Sequence, residues 1–438
     1  MTHTAAQGGE GKATATFHSL AVAPAILDTL DKLGLTTPTP IQAQAIPAGL
    51  EGRDVIGIAQ TGTGKTLAFG IPMIQRLIAT GGYGLVLVPT RELALQVDET
   101  LKKIAQPAGL KTLILMGGVG MNPQIDGIMR NPNIIIATPG RLIDHLERGT
   151  IVLSSVESLV LDEADRMLDM GFWPQVRRII KDITTDRQTS LFSATLSREI
   201  TDLAAAHMRT PVRIEVAPQG TTAERVAQEF YFARKEEKAR LLEKILGERA
   251  GSTIVFIRTK HGAKKLTRLV QQMGHTAAEI HGNRSLNQRT EALNGFKTGK
   301  YRVLVATDIA ARGIDVKGID LVINYDMPTA TEDYVHRIGR TARAGASGTA
   351  ITFAEPHERN ELRQIERLIQ KPITISDVQG DLPPMRAGAV SGGSTFHRQT
   401  RTGGSHGQSH YGRDRGASRD RRGPRPASRG RSGGRGNW

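Results

Sequence analysis

Cysteine is absent from all 438 residues, which excludes disulfides and thiolate metal sites. No run of eighteen apolar residues occurs. Residues 1–16 are polar and Gly/Ala/Thr-rich, without the apolar stretch of a signal peptide, and a flexible N-terminus is expected there. Neither a membrane span nor secretion is expected, and a soluble, cytoplasmic protein is. The 12 histidines show no tight metal-ligand pairing. From Arg386 onward lysine is missing too, and Val390, Phe396, Tyr411 and Trp438 are almost the only sizeable apolar residues. Such a stretch cannot bury enough surface to offset the entropy of ordering.

What that stretch has is positive charge. Arg386–Trp438 holds 12 Arg against 2 Asp, so ten of the fifteen net positive charges of the chain sit there. A disordered, basic Arg/Gly-rich tail is expected over 381–438. Arg-Gly segments with scattered aromatics can contact phosphates and stack on bases; a merely solubilising tail is the alternative. The length ahead of it exceeds one ordinary core and suggests two domains.

From Phe17 to about Pro218, short β-branched runs alternate with helical patterns: Val55 to Ile58, Leu85 to Val88, Ile134 to Ala137, Leu159 to Leu161 and Ser190 to Phe192. This βαβα rhythm predicts a parallel sheet covered by helices. Ala217 to Thr222 breaks the pattern and reads as a linker. A second series follows through Ile254 to Ile257, Ala277 to Ile280, Val303 to Ala306, Leu321 to Asn324 and Ala350 to Phe353. Two tandem α/β domains are expected, over 17–218 and 219–380.

The first domain carries Ala59-Gln60-Thr61-Gly62-Thr63-Gly64-Lys65-Thr66 between an apolar strand and a helix. Apart from Ala59 in place of the first glycine, this is the pattern G-x-x-x-x-G-K-[ST]. Glycines let backbone N–H groups approach phosphate oxygens at a helix N-terminus, Lys65 can reach the β/γ-phosphates, and the Thr66 hydroxyl suits Mg²⁺. Taken alone, the match could be a Gly/Thr-rich turn. Asp162-Glu163-Ala164-Asp165, at the end of the apolar run Ser158 to Leu161, supplies what a nucleotide hydrolase also needs. Asp162 can hold Mg²⁺ and Glu163 can orient or deprotonate the attacking water. The alternative makes these acids N-terminal charges of the next helix. Magnesium carried by nucleotide is the only metal expected.

The second domain has no phosphate loop of its own, yet it contains His336-Arg337-Ile338-Gly339-Arg340-Thr341-Ala342-Arg343. On a helix, His336, Arg340 and Arg343 share one face. Arginine suits phosphate because its planar fork binds oxygens bidentately and stays charged. Arginine fingers supplied across an interdomain cleft are the expectation; a solvated basic helix is the alternative.

These residues closely resemble the DEAD-box family of ATP-dependent RNA helicases, over roughly Phe17 to Phe353. Further segments carry the resemblance: Pro89-Thr90-Arg91-Glu92-Leu93-Ala94, Gly117-Gly118, Thr138-Pro139-Gly140-Arg141, Ser193-Ala194-Thr195, Val255-Phe256-Ile257-Arg258-Thr259 and Ala306-Thr307-Asp308-Ile309-Ala310-Ala311-Arg312-Gly313-Ile314-Asp315. Ala59 is common in that family. The resemblance implies two tandem RecA-like parallel-sheet domains and RNA-dependent ATP hydrolysis coupled to local unwinding of short duplexes. It makes residues 17–43 an adenine-reading segment, with Gln42 on the base edge and Phe17 as a stacking face. It makes Gly313 a backbone contact near the γ-phosphate, Asp315 a ribose ligand, and Arg340 and Arg343 the fingers. His336 would link the domains through the acidic motif, and Ser193, Thr195 and Asp165 would couple nucleotide state to RNA. Sequence-independent RNA-backbone contacts are implied for Thr90, Arg91, Gly118, Thr138, Gly140, Arg141, Arg258, Thr259 and Thr307. Arg166 to Phe172 and the Arg/Gly tail resemble the bacterial RhlE-like subgroup. Ribosome-assembly or RNA-decay proteins are implied partners. A DNA translocase and a slowly turning RNA clamp are the competing functions.

Overall fold

A computed structural model describes residues 15–60, 62–216, 226–311, 316, 318–341, 348–376 and 382–384. The expected linker and the basic tail from Arg386 lie outside the described residues, as do Thr61, Gly313, Asp315 and Arg343.

Among the described residues, fourteen strands form two seven-stranded sheets. The first contains β1 (Val55–Ile58), β2 (Tyr83–Leu87), β3 (Thr112–Leu115), β4 (Ile134–Ala137), β5 (Val156–Asp162), β6 (Gln188–Ser193) and β7 (Val212–Glu215), in the order β3-β4-β2-β5-β6-β1-β7. The second contains β8 (Val226–Phe232), β9 (Thr253–Phe256), β10 (Ala277–Ile280), β11 (Val303–Ala306), β12 (Leu321–Asn324), β13 (Gly348–Ala354) and β14 (Thr374–Ser376), in the order β10-β11-β9-β12-β13-β8-β14. Every pairing is parallel. The order reverses beside β2 in one sheet and β9 in the other, the crevice position where parallel sheets bind ligands.

The strands are nearly continuous apolar runs because both faces are buried. In β4, Ile134 and Ile136 enter one core layer while Ile135 and Ala137 enter the opposite one. In β11, Leu304 and Ala306 face one layer of the second lobe and Val303 and Val305 the other. Polar anchors fix the first sheet's N-terminal edge. Buried Asp54 accepts the Thr189 N–H at 2.7 Å and the Arg209 N–H at 2.6 Å, while Gln188 Nε2 donates to the Gly49 and Arg53 carbonyls at 2.7 and 2.8 Å.

Candidate functional site

Beyond β1 the chain turns through Gly62 and Gly64 into helix Lys65–Thr80. Gly64 caps this helix in the left-handed conformation, with φ +89°. A Cβ there would stand 2.4 Å from Gln42 Nε2 and 3.1 Å from Thr39 Oγ1, so glycine is required by backbone and packing together. Buried Lys65 donates from Nζ to the Ala59 carbonyl at 3.0 Å, and Thr63 Oγ1 donates to the Gln60 carbonyl at 2.7 Å. Thr66 follows in the first helical turn. Gly64→Ala should lower the melting temperature and weaken nucleotide binding by about tenfold, roughly 1.4 kcal/mol. Thermal melting and nucleotide titration check this, and an unchanged affinity sinks the cradle assignment.

Gln42 is buried against this loop. Its Oε1 accepts the Thr39 N–H at 2.9 Å, completing a capping box on helix Pro40–Leu50, and its Nε2 donates to the Gly64 carbonyl at 3.0 Å. A primary amide has two donors and two acceptor sites, so one of each remains for a base edge. Phe17 departs from expectation. It is 2% exposed and packs with Leu20, Ile26 and Ile41 in the core. A short 3₁₀ turn, Phe17–Ser19, tucks the ring inward, so the stacking face expected for adenine is covered.

β5 brings the acids to the same sheet end. Burial pushes the Asp162 carboxyl up to about 6, against the pull of the Lys65 cation and with the help of the Glu163 charge. Glu163 itself is left-handed, φ 54° and ψ 51°, and its Oε2 accepts from Arg166 Nη1 at 2.8 Å, with both side chains buried. Asp165 Oδ2 accepts the Ala194 and Thr195 N–H groups at 3.0 Å each and the Thr195 hydroxyl at 3.3 Å. The Asp165 N–H donates to Ser193 Oγ at 3.2 Å. Burial alone would raise the Asp165 pKa; the charges of His336, Lys65 and Arg166 and the Thr195 N–H outweigh it and hold the carboxyl below its usual range. Glu163 is the N-cap residue of helix Ala164–Asp169 and Asp165 lies in its first turn, positions that also complement the helix dipole.

A cavity of about 350 Å³ opens beside these groups. Gln60, Glu163, Asp165 and Thr195 line it from the first lobe, His336 and Arg340 from the second. Arg340 reaches it by a different route from the one expected. Helix Thr331–Ile338 ends before Gly339, because glycine is a poor helix residue and the following backbone turns to make i→i−3 bonds. Arg340 N–H meets the Arg337 carbonyl and Thr341 N–H the Ile338 carbonyl, both at 3.1 Å, and Thr341 bridges to Ile319. His336 and Arg340 therefore do not share a helical face, yet they enter one cavity, and Arg340 Nε donates to the His336 carbonyl at 3.2 Å.

The residues expected to contact RNA lie at the C-terminal ends of parallel strands. Arg91 lies over the Gly117-Gly118 turn: a Cβ on Gly118, φ +80°, would fall 2.1 Å from Arg91 Nη1. Arg141 Nη1 donates to the Val119 carbonyl at 3.0 Å, which brings both arginines to one loop. Thr138 and Gly140 begin helix Pro139–Glu147. Thr90 and Thr259 cap helices Arg91–Ala105 and Lys260–Gln272, their hydroxyls accepting from Leu93 N–H at 3.2 Å and Gly262 N–H at 3.0 Å. The Arg258 N–H meets Asp326 Oδ2 at 2.9 Å, and Thr307 follows β11, its N–H on the Ile280 carbonyl at 3.2 Å.

Three groups were not anticipated. Arg166 holds the Glu163 carboxylate, as above. Arg337 is 2% exposed and ion-paired with Asp308 through Nε–Oδ1 at 2.6 Å and Nη2–Oδ2 at 2.7 Å, with Nη1 on the Asp326 carbonyl at 2.7 Å. It anchors the helix presenting His336. Buried Tyr334 and Ile338 flank it at helical spacing, a pattern that marks position 337 as core-facing. Glu92 Oε2 meets Arg289 Nη2 at 2.7 Å, a mostly buried ion pair between the lobes with no local sequence signal.

Among the described residues no group of three or more His, Asp or Glu could hold a metal ion. Asp162 and Thr66 fit an ion brought in on phosphates, since Mg²⁺ is usually held by one or two protein groups plus substrate oxygens. No helix of the described residues is long and apolar enough to cross a membrane.

Residues 39–203 match the DEAD/DEAH box helicase model and residues 237–345 the helicase conserved C-terminal domain model. The chain is 43% identical over 364 residues to the ATP-dependent rRNA helicase RRP3 of Yarrowia lipolytica, covering 82% of this chain and 76% of that one. It is 40% identical over 393 residues to the human probable ATP-dependent RNA helicase DDX47, covering 89% and 86%. Among solved structures, S. cerevisiae Dbp5 bound to RNA and ADP BeF3 is similar with TM-score 0.74 and 30% identity, over 83% of this chain and 95% of that one. Mss116p bound to ssRNA and AMP-PNP gives TM-score 0.77 and 30% identity, over 84% and 81%.

Proposed function

The chain belongs to the DEAD-box family of RNA helicases, and from that membership we propose an RNA-dependent ATPase whose lobes close on ATP and single-stranded RNA and locally unwind short duplexes. The observation that carries this is the shared cavity: Glu163 and Asp165 come to it from one lobe, His336 and Arg340 from the other. In this reading the loop 59–66 cradles the phosphates, Lys65 neutralises charge, and Glu163, aimed by Arg166, accepts the proton of the attacking water. Mg²⁺, held by Asp162 and Thr66, would supply further charge neutralisation on the phosphates. Arg340 and Arg343 stabilise the charge of the transition state. Asp165, bonded to the Ala194-Thr195 turn and electrostatically tied to His336, passes nucleotide state to the loops that hold RNA. Gln42 reads the adenine edge with its remaining donor and acceptor. Gly313 and Asp315 complete the nucleotide site.

Each base-pair step stabilises a duplex by about 1.4 kcal/mol on the DNA scale, so ten steps hold roughly 14 kcal/mol. One closure therefore disrupts a few pairs, and the rest of a short helix dissociates spontaneously. We further assign the chain to the RhlE-like subgroup from Arg166 to Phe172 and the Arg/Gly tail, and to the cytoplasm. RRP3 is named an rRNA helicase, which favours ribosome assembly over RNA decay as the setting. ATP hydrolysis by the full chain should rise at least tenfold with single-stranded RNA and stay near basal with DNA of the same sequence, and a short RNA duplex should separate only with ATP. Equal stimulation by DNA overturns the RNA assignment. Stimulated hydrolysis without strand separation makes the protein a clamp.

A further inference from the structure

Along helix Lys260–Gln272, the basic residues Lys260, Lys264 and Arg268 recur every four positions and so form one stripe down a single face. The stripe starts next to Arg258 and Thr259, at the strand ends assigned to RNA. Lys260 Nζ donates to Asn283 Oδ1 at 3.1 Å. Among the described residues Lys264 and Arg268 make no ion pair; both, with Arg284, line a cavity of about 400 Å³ over β10. Among the described residues β10 is an edge strand, and no further strand of them closes this side of the groove. Glu279, in β10, also lines it. Its side chain is 5% exposed, one carboxylate oxygen is held by Arg284 and lies 3.6 Å from His281 Nε2, and the other, Oε2, has no hydrogen-bond partner.

A buried carboxylate oxygen without a donor is unfavourable, and unpaired cations attract phosphate. A ligand answering both features carries anionic oxygens for Lys264 and Arg268 and a hydroxyl donor for Glu279. Ribose phosphate has both. An acidic peptide would meet the Glu279 charge, and a basic one Lys264, Arg268 and Arg284. We propose that this groove is a second RNA-contact surface, which takes a ribose-phosphate unit of the strand after it leaves the interlobe cleft, phosphates on Lys264 and Arg268 and a 2′-hydroxyl on Glu279 Oε2. This rests on the RNA-binding reading above.

The test uses the full chain and two oligouridines: the shortest that saturates ATP hydrolysis, and the same strand extended at both ends. For K264E/R268E, affinity for the extended strand should fall about tenfold and the log–log salt slope by about 1.4, at roughly 0.7 per phosphate. Binding and ATP hydrolysis with the short strand should match the parent protein. Replacing the extensions by DNA should weaken binding to the parent protein and not to Glu279→Ala, which has no side-chain acceptor for the 2′-hydroxyl. Because the chain contains no cysteine, Lys264→Cys provides a single thiol for a photo-crosslinker, which should capture the extension and not the core strand. Equal losses on both strands, or none on either, overturn the groove, whatever protein it then binds. A parent protein that binds neither strand overturns the helicase reading itself and this inference with it.

Discussion

Arg340→Ala should reduce saturating RNA-stimulated ATP turnover by about 10³- to 10⁵-fold, the range for a finger that stabilises charge only in the transition state. Nucleotide affinity should change far less, since Lys65 and the loop 59–66 remain. Arg340 is 3% exposed and bonds the His336 carbonyl, so melting temperature must be followed in parallel. Single-turnover hydrolysis separates chemistry from binding. If turnover at saturating RNA is unchanged while RNA affinity drops, Arg340 is part of a basic surface and has no place at the γ-phosphate.

Glu163→Gln should lower hydrolysis by about 10²- to 10⁴-fold, as expected for removing a general base. The amide still accepts a hydrogen bond from Arg166, which reaches Glu163 Oε2 at 2.8 Å, but it cannot take a proton. ATP binding should persist and RNA should dissociate more slowly in the ATP-bound state. Turnover equal to the parent protein removes Glu163 from this role. Loss of the charge also leaves Arg166, 3% exposed, beside a neutral partner, and breaking a buried pair is destabilising. A lowered melting temperature with intact ATP binding is therefore part of the expected result.

Sequence pattern was most informative where strands are buried on both faces. Val55 to Ile58, Ile134 to Ala137, Val303 to Ala306 and Leu321 to Asn324 are strands over those same residues, and so is Ala277 to Ile280, although it is an edge strand that carries Glu279. β3, β7, β8 and β14 were not anticipated. Three lie at sheet edges and β8 lies next to one; β7, β8 and β14 mix polar and apolar residues, as in the Val-Arg-Ile-Glu of β7, and lack the continuous apolar signature, whereas β3 carries it in Leu113 to Leu115 and was missed all the same. The phosphate loop and the acids were legible because their chemistry is local in the chain. Glu92 and Arg289, nearly two hundred residues apart, become neighbours only through the arrangement of the lobes. Arg340 was found by residue type and order although its expected helical geometry is wrong: Gly339 ends the helix, and the turn that replaces it still delivers the side chain to the cavity.

The left-handed backbone at Glu163 sets stability and activity against each other. A residue with a Cβ held at φ 54° costs roughly 1–2 kcal/mol relative to the right-handed region, and glycine or asparagine would fit there with less strain. Removing the acid alone would strand buried Arg166, but a selection for thermal tolerance alone would accept Glu163→Gly together with Arg166→Met, which relieves the strain and leaves no unpaired buried charge. Any effort to evolve a hardier version of this protein has to screen for ATP turnover alongside heat resistance, or its most durable winners will be inert.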